Sequence, residues 1–184
     1  MIKLSKKILL AILMICMTNL AYMQPNNNKG KNLLYAKMEL QKRPVYFPLS
    51  SKSFKRISSG YGMRKHPILK KNKFHYGLDL AARKGTPIYA SAHGKVVKAE
   101  FSPSYGNYVV IDHDYGYKTL YGHMMVSKVK INQKVKQGAI IGFVGSTGRS
   151  TGPHLHYEIL KKNKRIDPFS YWMNFLKKME VKRF

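Results

Sequence analysis

From about Phe54 onward the chain is written in short runs of β-branched and aromatic residues closed by glycine, with almost no apolar repeat at helical spacing. Such runs suit a pleated backbone, on which side chains alternate between faces, and glycine-centred turns reverse the chain after each one. Strands are predicted at Lys95 to Phe101, Asn107 to Asp112, Lys118 to Tyr121, Ala139 to Val144 and Leu155 to Leu160. Turns are predicted at Ser104-Tyr105-Gly106-Asn107 and Asp114-Tyr115-Gly116. Connections this short join antiparallel neighbours, so the expected fold is mostly β, built of antiparallel sheets.

The 184-residue chain is organised in segments around that domain. Lys3, Lys6 and Lys7 precede an unbroken apolar run from Ile8 to Met17, so residues 1–23 are expected to act as an export signal. Asn19-Leu20-Ala21 offers a fair small-residue cleavage signal. The apolar stretch falls short of the roughly 18 to 20 residues that span a bilayer, and both cleavage and retention as an anchor stay open. Residues 24–53 read as a linker or lead-in, with the polar run Gln24 to Lys31, a short helix at Leu33 to Leu40 and the proline-bounded stretch Pro44 to Pro48. One domain is expected over 54–171. Residues 172–184 form a basic tail, where Tyr171, Trp172, Phe175, Leu176 and Met179 repeat at helical spacing and predict a docked C-terminal helix.

Charge and cysteine content narrow the chemistry. The formal net charge is +26, and only eight carboxylates are present. A field of this sign concentrates an exported protein on anionic envelope polymers or a membrane surface. Nucleic acid is not expected as a partner, because the basic residues are dispersed and no recognised binding motif accompanies them. The single cysteine, Cys16, lies in the export segment behind Ile15, where a lipoprotein signal wants a small residue, so lipidation is not expected. Beyond it, disulfides and thiolate metal sites are excluded. Any metal must be held by histidine and carboxylate.

Two short groups offer those donors. In His75-Tyr76-Gly77-Leu78-Asp79 the two ligand types stand four residues apart, which along a regular strand is roughly 13 Å, too far for one ion without a bend. Gly77 is placed to supply that bend. In His154-Leu155-His156, alternation sends both imidazoles to one face about 6 to 7 Å apart. Two histidines and an aspartate match a catalytic zinc site, in which three protein ligands leave a position open for water. On spacing alone, exposed strand histidines and a surface ion pair fit equally well.

Longer motifs surround these groups over Ile57 to Tyr171. Ile57-Ser58-Ser59-Gly60-Tyr61-Gly62-Met63-Arg64-Lys65-His66-Pro67-Ile68 and Phe74-His75-Tyr76-Gly77-Leu78-Asp79 resemble the opening and first-ligand motifs of the lysostaphin/LytM-type zinc endopeptidases. Thr119-Leu120-Tyr121-Gly122-His123 resembles that family's central histidine motif. The run Gly145-Ser146-Thr147-Gly148-Arg149-Ser150-Thr151-Gly152-Pro153-His154-Leu155-His156-Tyr157-Glu158 resembles its closing signature. The resemblance implies a LytM-like fold with the sheets stacked around an active-site groove. It implies one zinc ion per chain on His75, Asp79 and His156. It makes His123 and His154 catalytic, one handling the proton of the attacking water and the other the oxyanion or leaving amine, without saying which does which. His66, His93 and His113 match no ligand position and are expected at surface or structural sites. Arg64 and Arg149 are expected to be solvated charges.

The resemblance further implies a peptidase acting on peptidoglycan in the periplasm or cell envelope, and a monomer is expected. A non-catalytic activator of cell-wall amidases is the alternative from another class, but such proteins usually lack metal ligands. Within the enzymes, D-alanyl cross-links to a diamino acid and glycine bridges are the two substrate classes. A tyrosine that glycine-bridge cutters place before the first ligand motif has no counterpart in Ile68-Leu69-Lys70-Lys71-Asn72-Lys73, which favours D,D-endopeptidase activity.

Overall fold

The computed structural model describes residues 38–65, 67–68 and 70–181. The expected export segment, Cys16, His66 and most of the helix expected at Leu33 to Leu40 lie outside the described residues; residues 38–41 form one helical turn. Among the described residues no helix is long and apolar enough to cross a membrane.

Among the described residues from Arg56 onward, twelve strands and one α-helix follow in chain order. They are β1 (Arg56–Ser59), β2 (Gly62–Lys65), β3 (Asn72–His75), β4 (Leu78–Ala81), β5 (Pro87–Tyr89), β6 (Gly94–Ser102), β7 (Gly106–Asp112), β8 (Tyr117–Ser127), β9 (Lys134–Val135), β10 (Ile140–Val144), β11 (His154–Lys161), β12 (Lys164–Ile166) and α1 (Pro168–Val181). Ten strands form one sheet with the path β1-β4-β11-β8-β7-β6-β9; β10 joins β8 to β5, and β12 pairs with β11. Strands β2 and β3 form a separate hairpin. All these pairings are antiparallel, and the mostly-β expectation holds.

The register of the central strands decides where chemistry sits. Strand β11 pairs His156 with Asp79 of β4 on one side and with Gly122 of β8 on the other. Three segments far apart in sequence are thus aligned in one cross-strand row. Their other face is apolar: Leu78, Leu80, Tyr121, Leu155 and Tyr157 are all buried. Because side chains alternate along a strand, core and polar site occupy opposite faces of the same three strands.

The expected segment boundaries at 54 and 171 do not coincide with breaks in packing. Val45, Phe47 and Leu49 of the lead-in are buried, and Trp172 and Leu176 of the expected tail are buried with them. The Trp172 ring stacks on Tyr157 at a centroid distance of 5.4 Å and meets Phe47 at 5.2 Å, while its indole N–H donates to the Pro44 carbonyl at 3.0 Å. Lead-in, helix and Tyr157 of β11 thus bury apolar area against one another in a single cluster, and the lead-in is part of the core. Helix α1 starts at Pro168, where a fixed φ and a missing N–H cost nothing in the first turn. Asp167 caps it by accepting from the Phe169 N–H at 3.0 Å and the Ser170 hydroxyl at 2.6 Å.

Candidate metal centre

His75 ends β3 and Asp79 lies in β4, so the two residues are carried by separate strands. The turn between them passes close under β11. A Cβ at Gly77 would lie 2.5 Å from the Tyr157 carbonyl oxygen and 2.9 Å from the His156 ring, so only glycine fits there. The bend brings His75 Nε2 to 3.1 Å from Asp79 Oδ1. His156 Nδ1 lies 2.9 Å from the same oxygen and 3.1 Å from His75 Nε2. All three residues are buried, and their ligand atoms lie within 4.8 Å of one another. Donors about 2.0 Å from a tetrahedral zinc stand about 3.3 Å apart, close to this triangle.

The remaining ring nitrogens fix which atom faces the triangle. His75 Nδ1–H donates to the Gly60 carbonyl at 2.7 Å, leaving the Nε2 lone pair inward. His156 Nε2–H donates to Glu158 Oε1 at 3.0 Å, leaving Nδ1 inward. Such tethers orient ligand imidazoles and raise their basicity. Glu158 also accepts from the Tyr105 hydroxyl at 2.8 Å and from Arg165 Nε at 2.8 Å. Burial works against its ionisation, yet the bonds from His156 and Arg165 hold its carboxyl below the usual range. The same burial, with Glu158 beside it, pushes the Tyr105 phenol up to about 12. Burial also opposes charge on Asp79, but the bonds from His156 and His75 win and hold it well below the usual carboxylate range. His156, buried between two carboxylates, is raised to about 9 despite its desolvation. The two carboxylates of Asp79 and Glu158 around His156 favour positive charge in this site, and a divalent metal would take the place of the His156 proton at Nδ1.

Two further histidines stand beside the triangle. The His123 and His154 rings are 4.7 Å apart, and His123 is 5.8 Å from the His156 ring. His154 Nε2 lies 3.6 Å from Asp79 Oδ1, so both histidines of the His-Leu-His group reach one carboxylate oxygen, as alternation predicts. His123 adopts φ 58°, a left-handed conformation uncommon for a residue with a Cβ, pinned by its N–H to the Tyr105 carbonyl at 2.7 Å. Its Nδ1–H donates to the Thr147 carbonyl at 2.8 Å, and His154 Nδ1–H donates to Gly152 at 2.8 Å. Both rings thus keep Nε2 available. Burial lowers His123 to about 4, so its ring is neutral near pH 7.

The five residues share an open cavity of about 380 Å³ whose lining includes Arg64, Tyr76, Tyr105 and Arg149. Arg64 is not the solvated charge expected from sequence: its Nη2 lies 3.3 Å from Asp79 Oδ2, the oxygen turned away from the histidines. Composition hid this contact, because one arginine among 34 basic residues carries no distinguishing signal. Glu158, Tyr105 and Arg165 were also not singled out. Glu158 was legible in principle, since an acid alternating with His156 on one strand face is conspicuous among eight carboxylates. His113 is buried and structural: Nδ1–H donates to the His93 carbonyl at 2.7 Å and Nε2 meets Thr119 Oγ1 at 2.8 Å. His93 accepts the Gln137 N–H on Nδ1 at 2.7 Å.

Several known proteins are similar to this chain. Peptidoglycan DD-endopeptidase ShyB of Vibrio cholerae is 44% identical over 117 residues, 63% of this chain and 28% of the relative. The structure of a zinc containing peptidase from Vibrio cholerae matches with a TM-score of 0.61 at 42% identity, covering 66% of this chain and 37% of that one. The catalytic domain of the antimicrobial peptidase lysostaphin from Staphylococcus simulans matches with a TM-score of 0.58 at 34% identity, covering 64% of this chain and 92% of that domain. The chain spans between 26% and 37% of the length of curated relatives such as these. Residues 73–168, more than half of the chain, match Peptidase family M23, from just before the first ligand to the start of α1. On the combined weight of that match and of the geometry, the chain belongs to peptidase family M23.

Proposed function

We propose that this protein is a zinc-dependent endopeptidase that hydrolyses D-alanyl cross-links to a diamino acid in bacterial peptidoglycan. The observation that carries the reading is the convergence of His75, Asp79 and His156, with ligand atoms within 4.8 Å, beside His123 and His154 in an open cavity. The name of the Vibrio cholerae relative, peptidoglycan DD-endopeptidase, supports the bond class. Zinc on the three ligands supplies a Lewis acid that polarises a carbonyl and makes water a nucleophile near neutral pH.

The chain's own residues then divide the work. His75, Asp79 and His156 hold the ion, in orientations set by Gly60 and Glu158. His123 and His154, tied down at Nδ1, offer Nε2 to take the proton of the attacking water and deliver one to the leaving amine. Hydrolysis consumes one water and leaves a free carboxyl on D-alanine and a free amine on the diamino residue. The complete set of ligands and helper histidines favours catalysis over an amidase-activating scaffold.

Export is part of the same reading. The basic start and apolar run of residues 1–23 support delivery to the periplasm or cell envelope, with the segment cleaved or kept as an anchor. The high positive charge supports retention on anionic envelope polymers, with the protein acting as a monomer. The test is mass spectrometry of defined cross-linked muropeptides incubated with the zinc-loaded protein. Conversion of dimers to monomers is expected; dimers left intact by a zinc-loaded protein would sink the reading.

A further inference from the structure

The cavity beside the metal ligands is lined by three cations, Arg64, Lys73 and Arg149. Arg64 is taken by Asp79. The second carboxylate of the cavity, Glu158, is taken by His156, Tyr105 and Arg165. Arg149 has no ion-pair partner among the described residues, and no acid of the cavity is left to give it one. It is half-buried.

The backbone that carries Arg149 is held from several sides. Gly148 adopts φ 68°, and a Cβ there would lie 2.2 Å from the Gly106 nitrogen, so two loops touch through bare backbone. The Arg149 N–H donates to the Ser104 carbonyl at 3.2 Å. Two residues before it, Thr147 Oγ1 donates to the Met124 carbonyl at 2.8 Å and accepts the Asn107 N–H at 3.0 Å. On its other side, Ser150 Oγ lies 3.4 Å from His154 Nδ1. A cation is therefore mounted on fixed backbone one residue from a group touching His154.

We infer that Arg149 reads a carboxylate of the substrate that lies next to the scissile amide. The inference rests on the endopeptidase reading above. In a cross-link from D-alanine to a diamino dicarboxylic acid, the leaving nitrogen sits on a carbon that also bears a carboxylate. That group is an anion at a fixed short distance from the bond to be cut, and a planar guanidinium matches it bidentately. A glycine bridge carries no charge at this position. Arg149 thus supplies selectivity between the two bond classes that the metal ligands alone do not provide.

The experiment compares two synthetic cross-linked peptides, one with that carboxylate free and one with it converted to a carboxamide. Zinc-loaded full-length protein is assayed as wild type, Arg149→Gln and Arg149→Lys, with bound zinc and thermal midpoint measured on each. Wild type is expected to prefer the free carboxylate in kcat/KM by about tenfold, the order expected of one charge-assisted pair. Arg149→Gln is expected to collapse the preference towards unity, and Arg149→Lys to keep part of it. A wild type without preference, or an Arg149→Gln variant that keeps it, overturns the inference and leaves the endopeptidase reading standing. A zinc-loaded wild type that cuts neither peptide refutes that reading and the inference with it.

Discussion

At the scale of single residues, the site is defined by which nitrogen each imidazole keeps free. His156 offers Nδ1 because Glu158 holds Nε2, so Glu158→Gln should weaken zinc retention about 10- to 100-fold in a chelator competition, with the fold retained. His156→Ala should abolish retention altogether, whereas His123→Ala should keep the zinc and lose most turnover; equal zinc loss in both would show the roles to be misassigned. His113 makes a prediction unrelated to metal. Burial pushes it down to about 4, so between that value and its unfolded pKa of about 6.5 the folded chain binds fewer protons than the unfolded one. Its contribution is whole above about pH 6.5 and is lost as pH falls towards 4, a difference of roughly 3 kcal/mol. His113→Gln should be less stable than wild type at pH 7, with urea midpoints that fall less steeply from pH 7 to pH 4. Of these residues, the five histidine and aspartate donors were legible in motifs and Glu158 in its alternation with His156, whereas Tyr105 and Arg64 were not, because they act only on neighbours that folding brings to them.

At the scale of elements, legibility followed length. Strands β6, β7, β10 and β11 were readable because five to nine residues allow a period of two to show. β1, β2, β3, β4, β5, β9 and β12 have two to four residues each, too few for a period, and exist because a partner strand completes their hydrogen bonds. β8 was read only as Lys118 to Tyr121, yet it runs to Ser127, through Gly122 and the left-handed His123. The β3–β4 turn is the element on which the site depends most. Gly77→Ala pushes a methyl group into the Tyr157 backbone and the His156 ring. It should cost about 1–3 kcal/mol in urea denaturation and weaken zinc binding with it, since backbone cannot move aside as a flexible side chain would. Normal zinc affinity in a folded Gly77→Ala protein would contradict this account of the turn.

At the scale of the whole molecule, lead-in, sheet and C-terminal helix share one core, with Trp172 between Phe47 and Tyr157. Trp172→Ala should cost about 3–5 kcal/mol, read from denaturant midpoints, although the residue lies outside the span that matches the family. Tyr157 transmits this to the site: its ring faces Trp172 while its neighbours His156 and Glu158 lie in the candidate metal centre on the other face, so partial loss of zinc should accompany the loss of stability. What the sequence by itself determined is local: strand periodicity, turn glycines, donor types and the motifs that mark the ligands. Only the tertiary structure decided that residues 45–49 belong to the core, that Arg64 is spent on Asp79, and that Arg149 is left without an ion-pair partner among the described residues. The reason is physical. Periodicity is written along the chain, whereas the pairing of a charge depends on strand register and on loops meeting across it, which are settled only when β4, β11 and β8 align.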